Sequence, residues 1–214
     1  MYIMITDKCN MSCEHCAFAC TKEGSFMDFN TFKDAVAMDD YVTIGGGEPT
    51  LHPQFEKFLL YALGKCESTF IVTNGTNKEL SLTMLEISNG LEEKFGVEMS
   101  QDEYHDWDMV DQKVRDSFNE AKRVRDVGDK ISYTGRAKEY WNESSCQKHC
   151  VCNDNIVLPN GSIKFCGCDN APIVGDTWNG FYCDYDTDVI SECDHCWSEY
   201  LKTVKEEAKE LVIA

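Results

Sequence analysis

The chain has 214 residues, which fits one domain, or one domain with a small appendage, and leaves room for a sizeable core. A formal charge of −18, from 20 Lys plus Arg against 38 Asp plus Glu, opposes direct binding to a nucleic-acid backbone, itself a polyanion. Hydrophobic residues at 43% and aromatics at 11% exclude a disordered chain, and with no long apolar run and no charged-then-apolar leader the sequence reads as soluble and cytoplasmic, without a membrane span.

In chain order, Tyr2 to Thr6 alternates as a short strand, and Asp28 or Asn30 caps a helix bearing Phe32, Ala35 and Val36. Tyr41 to Ile44 reads as a buried strand. Pro53 suits the first turn of a helix whose Phe55, Phe58, Leu59, Ala62 and Leu63 form one apolar stripe, weakened at its end by Gly64. Thr69 to Thr73 is a β-branched strand ending in Asn74-Gly75, Ser81 caps a helix that Asn89-Gly90 stops, and Val97 to Ser100 is the next strand. Asp108 caps a long helix carrying Val110, Val114, Phe118, Ala121 and Val124, ended by Gly128 before a strand at Ile131 to Tyr133. Repeated strand-helix alternation predicts a parallel sheet with right-handed crossovers, curved into a partial, open βα barrel of about five to six strands because eight repeats do not fit. Its chemistry is expected at the C-terminal ends of the strands.

After Gly135 the pattern changes. Ile156 to Leu158 and Ile163 to Phe165 flank the turn Pro159-Asn160-Gly161-Ser162, a β-hairpin among clustered cysteines, and Trp197 onward is an amphipathic helix expected to pack back on the body. The expected organisation is residues 1–140 for the partial barrel, 141–196 for a small cysteine-rich domain and 197–214 for the terminal helix.

Thirteen cysteines carry the functional signal. Cys9, Cys13, Cys16 and Cys20 lie at the start, Cys66 is alone, and eight fall between Cys146 and Cys196. An odd count in two tight groups around a cysteine-free middle fits metal ligation better than a disulfide framework. Cys9, Cys13 and Cys16 form C-x3-C-x2-C directly after the first strand. Three thiolates serve three irons of a four-iron cluster and leave the fourth open, whereas a structural zinc site wants four ligands and His15, beside Cys16, is badly placed to be one.

That triplet resembles the defining motif of the radical S-adenosylmethionine (SAM) superfamily. Gly45-Gly46-Gly47-Glu48-Pro49 after the second strand is similar to the family's GGEP segment, where backbone groups and the acidic side chain hold the methionine amine. Thr73-Asn74-Gly75 resembles its TNG element, against the reading as a simple turn. Ser100-Gln101-Asp102 resembles its S-x-D segment near the ribose and carboxylate of SAM, against a helix-capping loop. Gly135-Arg136-Ala137 resembles a GRA element, with Arg136 as a carboxylate partner or a solvated side chain. His15 stands where the family places an aromatic residue against adenine, and imidazole can stack in its place. The family's barrel generally has six βα units, and here one is short or missing before residue 140.

Cys150, Gly161, Cys166 and Cys193-x2-Cys196 resemble the shortened auxiliary-cluster module called a twitch domain, related to SPASM; the full SPASM pattern needs cysteines after Cys196, and there are none. The resemblance implies one auxiliary four-iron cluster on Cys150, Cys166, Cys193 and Cys196, with Cys146, Cys152, Cys168 and Cys183 also available; a zinc ribbon is the competing reading. Cys20 and Cys66 read as small buried hydrophobes.

As a whole, the resemblance implies two 4Fe-4S clusters, one binding SAM and one auxiliary, and reductive cleavage of SAM to a 5′-deoxyadenosyl radical that takes a hydrogen atom from a small molecule, a nucleoside or a short peptide. Dehydrogenation, isomerisation or epimerisation, and bond formation are all open to such a radical, and electrons would come from a flavodoxin- or ferredoxin-like donor. A zinc-stabilised, non-catalytic interaction protein is the alternative.

Overall fold

A computed structural model describes residues 1–126, 131–142, 155–169 and 171–182. Its centre is a run of parallel strands: β1 (Tyr2–Thr6), β2 (Tyr41–Gly46), β3 (Ser68–Thr73), β4 (Phe95–Ser100) and β5 (Val124–Arg125). They alternate with helices α1 (Phe29–Val36), α2 (Phe55–Lys65), α3 (Lys78–Gly90) and α4 (Gln112–Glu120), as the hydrophobic periods predict. A short helix, α5 (Ala137–Tyr140), follows, and then β6 (Ile156–Val157), β7 (Ser162–Lys164), β8 (Ile173–Asp176) and β9 (Gly180–Phe181). The order across the sheet is β5-β4-β3-β2-β1-β6-β7-β8-β9, and the sheet is not closed.

The pleat assigns alternate residues to two faces. Ile3 and Ile5, Val42 and Ile44, Ile71, and Phe95, Val97 and Met99 are buried in one core with Phe32, Phe58, Met84, Leu85, Val114 and Phe118 from the helices. Tyr2 and Met4 take the opposite face, where Met4, Cys20 and Ile156 pack against Cys9, Cys16, Phe18 and Leu158. The segment after β1 is therefore anchored on both faces, by Cys16, Phe18 and Cys20 away from the helices and by Met11 in the main core.

Several expected boundaries shift. Asn77, whose side chain accepts the Leu80 N–H at 3.2 Å, caps α3; Ser81 is buried inside the helix. Pro53 precedes α2, which starts at Phe55 and runs through Gly64 to Lys65. The single long helix expected from Asp108 is divided in two. Asp106 caps one 3-10 turn over Trp107–Met109, Val110 is extended and buried, and Asp111 then caps α4. Lys122, at φ 55°, reverses the chain, so the fifth strand is Val124–Arg125 and Ile131 to Tyr133 form none. Two Asp caps and a buried valine between them outweigh a helical period that would have run through all three.

The Pro159–Ser162 hairpin forms as expected, with Gly161 at φ 85° and Leu158 N–H donating to the Ser162 carbonyl at 2.8 Å. β6 also pairs with β1 in parallel, Tyr2 opposite Ile156 and Ile3 opposite Val157. The hairpin thus extends the main sheet, and the sixth parallel position lies beyond β1. The terminal helix expected from Trp197, and Cys146, Cys150, Cys152, Cys183, Cys193 and Cys196, lie outside the described residues. Among those described, no helix is long and apolar enough to cross a membrane.

Phe32 is fully buried and stacks on Phe58 with ring centroids 4.4 Å apart, joining α1 to α2. Phe32→Ala is expected to lower unfolding free energy by about 3–5 kcal/mol, read by chemical denaturation; a loss under about 1 kcal/mol would show that the two helices do not depend on this stack.

Candidate functional site

Four segments meet at the C-terminal ends of β1 to β5. The first is the cysteine loop. It is closed at its base by Cys9 N–H to the Thr21 carbonyl at 2.7 Å and Thr21 N–H to the Asp7 carbonyl at 3.3 Å, and Met11 is buried in the main core. Within it Cys16 N–H donates to the Cys13 carbonyl and Ala19 N–H to the Cys16 carbonyl, both at 3.2 Å. Cys9, Cys13 and Cys16 are half-buried and Cys20 is buried. Burial pushes the Cys9 thiol up to about 11, with the Met11 N–H working the other way. Cys16 is drawn down to about 6, chiefly by a hydrogen bond shared with the Cys20 thiol, with the N–H groups of Cys20 and Phe18 adding to it and burial opposing. The same shared bond, and then burial, push Cys20 up. Cys20 is therefore a buried neighbour of Cys16 as well as the small hydrophobe its sequence suggests.

The second and third segments are tied by Glu48. It is wholly buried, and its carboxylate accepts from Thr50 N–H at 3.1 Å, the Thr50 hydroxyl, the Thr73 hydroxyl at 2.8 Å and Asn74 N–H at 2.7 Å. Burial pushes Glu48 above the ordinary glutamate range, and the hydrogen bonds from the Asn74 N–H, the Thr50 hydroxyl, the Thr73 hydroxyl and the Thr50 N–H work against that rise. Both carboxylate oxygens accept bonds within the protein, three on Oε1 and one, from Asn74 N–H, on Oε2. Gly46, at φ 139°, needs to be glycine because a Cβ there would overlap the Thr6 carbonyl oxygen. Gly47 N–H donates to that carbonyl at 2.8 Å and Glu48 N–H to the Lys8 carbonyl at 2.9 Å, joining this segment to the start of the cysteine loop. Asn74 completes the circuit, with Nδ2 2.9 Å from Asn10 Oδ1 and 3.9 Å from Cys9 Sγ.

The fourth segment follows β4. Ser100 is half-buried and lies opposite Arg125 of β5 in register. Asp102 Oδ1 accepts from His105 Nδ1 at 2.7 Å and from Tyr104 N–H at 3.0 Å, while Oδ2 faces His15 Nε2 at 3.6 Å. Burial works against ionisation of Asp102, but the His105 bond and the two histidines prevail and hold it below the usual carboxylate range. Burial likewise opposes charge on His105, and its bonds to Asp102 and the Cys13 thiol outweigh it, lifting it to about 9. Burial lowers His15, whose ring lies 4.9 Å from Tyr104 and 5.2 Å from His105. The ligand atoms of His15, Asp102 and His105 fall within 4.8 Å of one another, but the 2.7 Å contact is a hydrogen bond between two of them, which uses the groups on each other.

Residues 3–139 match the family described as the Radical SAM superfamily. The chain belongs to that superfamily. No curated protein matches the sequence. Among solved structures, SuiB from Streptococcus suis bound to S-adenosylmethionine is similar at 13% identity over 92% of this chain and 66% of that one, with a TM-score of 0.43. A second SuiB structure is similar at 12% identity over 79% and 60%, with a TM-score of 0.41. Radical SAM membership favours an iron-sulfur protein over the zinc-stabilised interaction protein.

Membership implies a 4Fe-4S cluster and SAM, and the residues present fit both groups. Thiols flanked by N–H donors are the donor chemistry an iron-sulfur cluster takes. His15 Nδ1 and Gln101 Oε1 are buried without a hydrogen-bond partner, and Asp102 Oδ2 has no contact as close as those on Oδ1, so polar atoms beside the loop stand ready for a ligand.

The structure brings Cys9, Cys13, Cys16, His15, Gly46, Gly47, Glu48, Asn74, Ser100 and Asp102 to one end of the sheet. Arg136 is tied to the same loop by another route. Its guanidinium donates to the Cys13 carbonyl at 2.8 Å and to the Cys20 carbonyl, and its N–H donates to the Cys16 carbonyl at 2.9 Å. Gly135, at φ 58°, packs so close to the carbonyls of Cys16 and Ala17 that a Cβ would not fit. Cys166 is buried and Cys168 half-buried, and Cys150, Cys193 and Cys196 lie outside the described residues. Sequence reasoning missed two residues here. Arg125 escapes because the fifth strand was expected at Ile131 to Tyr133, and His105 because only the fold turns it to Cys13.

Glu48→Gln keeps the volume but turns an NH2 toward groups that include N–H donors. It is expected to lower stability by about 1–3 kcal/mol in chemical denaturation; a change within about 0.5 kcal/mol would mean the carboxylate is not the tie described.

Proposed function

We propose that the chain is a radical SAM enzyme that takes a hydrogen atom from a small-molecule, nucleoside or short-peptide substrate. In this reading Cys9, Cys13 and Cys16 hold the SAM-binding cluster. When bound, that cluster supplies the electron that cleaves the carbon-sulfur bond of SAM, giving methionine and the 5′-deoxyadenosyl radical that abstracts hydrogen. The observation that carries the reading is the placement of those three thiols at the end of β1, within reach of the Glu48–Asn74 circuit and of Asp102.

Each residue then has a task of its own. Backbone groups of Gly46 and Gly47 approach the methionine end of SAM, while Glu48 fixes the segment that presents them. Asn74 orients the loop through Cys9 and Asn10. Asp102 Oδ2 accepts from the ribose, His15 lies against the adenine, and Ser100 with Arg125 meets the carboxylate. Arg136 keeps the cysteine loop in shape and adds positive charge beside Cys16. The face away from the helices carries half-buried Phe70, Val72 and Glu98, a mixed lining suited to a partly polar substrate.

The second cysteine group fits a twitch-like auxiliary site, a four-iron cluster on Cys150, Cys166, Cys193 and Cys196. It would accept the substrate's electron, giving net dehydrogenation, or bind the substrate for isomerisation or bond formation, with electrons arriving from a flavodoxin- or ferredoxin-like donor.

Anaerobically reconstituted protein is expected to hold about eight irons per chain and to release 5′-deoxyadenosine on reduction with SAM. Replacing Cys9, Cys13 and Cys16 by Ala should remove about four irons and abolish the nucleoside, and continued SAM cleavage refutes their assignment. Replacing Cys193 and Cys196 by Ala should remove the other four or so and leave SAM cleavage largely intact; unchanged iron content would end the twitch reading.

A further inference from the structure

We propose that the cavity between the cysteine loop and the β6–β7 hairpin binds a zwitterion, an amino acid or short peptide with an apolar side chain, its ammonium group on Asp7 and its carboxylate on Lys164. None of the residues assigned above to a cluster or to SAM lines this cavity. The site stands on its own walls and charges; that its occupant is the substrate rests on the radical SAM reading.

The pleat builds the floor. Tyr2 stands opposite Ile156 of β6, and Ile156 opposite Lys164 of β7, so these three share the face away from the helices, while Ile3, Val157 and Ile163 take the other and are fully buried. Met4, on the same face as Tyr2, forms the floor with Phe18 and Leu158. The stem of the cysteine loop makes one wall. There Thr6 bridges to Phe26 and its hydroxyl donates to the Ser25 carbonyl at 2.6 Å, which brings Ser25 beside Asp7. Pro159 and Asn160, from the hairpin turn, make the other wall. The space is about 310 Å³, at the small end of the ligand-pocket range of about 300–1,000 Å³, and has room for an amino acid or a dipeptide.

Two opposite charges line this space without meeting. Asp7 Oδ1 accepts from the Ser25 N–H and, at 2.9 Å, from the Ser25 hydroxyl, and among the described residues nothing donates to Oδ2. Lys164 Nζ donates to the Cys168 carbonyl at 2.7 Å and lies 3.5 Å from that of Asp169, which leaves one of its three protons. The Asp169 carboxylate is spent elsewhere, on Gly135 N–H and Lys138. Among the described residues neither Asp7 nor Lys164 has an opposite charge within ion-pair distance. A cation alone would answer only Asp7, an anion only Lys164, and an uncharged nucleoside neither. A zwitterion answers both and lays its side chain on Met4 and Phe18. Among the substrates proposed above, this lining selects the amino-acid-like and peptide ones over the nucleoside.

The test measures binding to reconstituted full-length protein by saturation-transfer NMR and calorimetry. Leucine and leucyl-leucine are the probes, and N-acetylleucine and leucine amide each lack one charge. At least one zwitterion should bind, and the two one-charge probes should bind about tenfold more weakly than leucine or leucyl-leucine, whichever is the tighter. Leucine the tighter identifies a free amino acid, leucyl-leucine a peptide, and either supports the site. Asp7→Asn keeps an acceptor for Ser25, and Lys164→Gln keeps a donor for the Cys168 carbonyl. Each should weaken the zwitterion about tenfold at unchanged iron content, with Asp7→Asn sparing N-acetylleucine and Lys164→Gln sparing leucine amide, a pattern that general loss of fold does not give. No zwitterion bound at about 10 mM, one-charge probes bound equally well, or binding that neither substitution weakens would each overturn the proposal. Should a variant lose its iron, the one-charge probes on wild-type protein decide alone. If wild-type protein releases no 5′-deoxyadenosine on reduction with SAM, it is the radical reading that fails, and the binding result stands apart from it.

Discussion

A carboxylate with no access to water must find its hydrogen bonds in the protein, and Glu48 finds them in two chain segments at once. Its own turn supplies Thr50, and the end of β3 supplies Thr73 and the Asn74 N–H. Because leaving any of these unmade is costly, the ends of β2 and β3 have one relative arrangement. That arrangement propagates. Gly47 and Glu48 N–H groups reach back to the carbonyls of Thr6 and Lys8, and Asn74 reaches Asn10 and Cys9, so the start of the cysteine loop is fixed from two sides. A motif that looks like a ligand cradle in the sequence is, in this structure, first a device that joins three strand ends.

How much of this is legible in the sequence depends on the range of the physics involved. The pleat of β1 and the apolar stripe of α2 are local, and Ile3, Ile5, Phe55, Phe58 and Leu59 declare them by spacing alone. The cysteine triplet is equally local, because ligands of one cluster must lie close along a loop. Competition between neighbouring signals is harder to read. Asp106, Asp108 and Asp111 are all able to cap a helix, and only the burial of Val110 between two caps decides which of them do. Placing the fifth strand depended on that choice, and Arg125 was hidden with it.

Pairing across long separations is not legible at all. Nothing in Ile156 and Val157 says that they lie parallel to Tyr2 and Ile3 rather than only against their hairpin partner. Likewise, the spacing from Ser100 to His105 is readable, whereas the approach of that ring to Cys13 exists only once β1 and β4 are set in one sheet.

The pairing of β6 with β1 has a consequence for the second cysteine group. It carries the chain from β7 back past the cysteine loop, where Asp169, one residue after Cys168, accepts from Gly135 N–H at 3.0 Å and forms an ion pair with Lys138 at 2.8 Å. Asp169 N–H in turn donates to the Thr134 hydroxyl at 3.0 Å. The adjacent N–H, that of Arg136, donates to Cys16. Two cysteine-bearing loops far apart in sequence are thus held by neighbouring peptide groups of one dipeptide. At Gly135 a left-handed backbone and the absence of a side chain let the chain lie against the carbonyls of the first loop while its N–H faces the second. Any larger residue there would push the loops apart before it altered either one. The requirement for glycine beside arginine at this point therefore follows from keeping the two loops at one fixed separation.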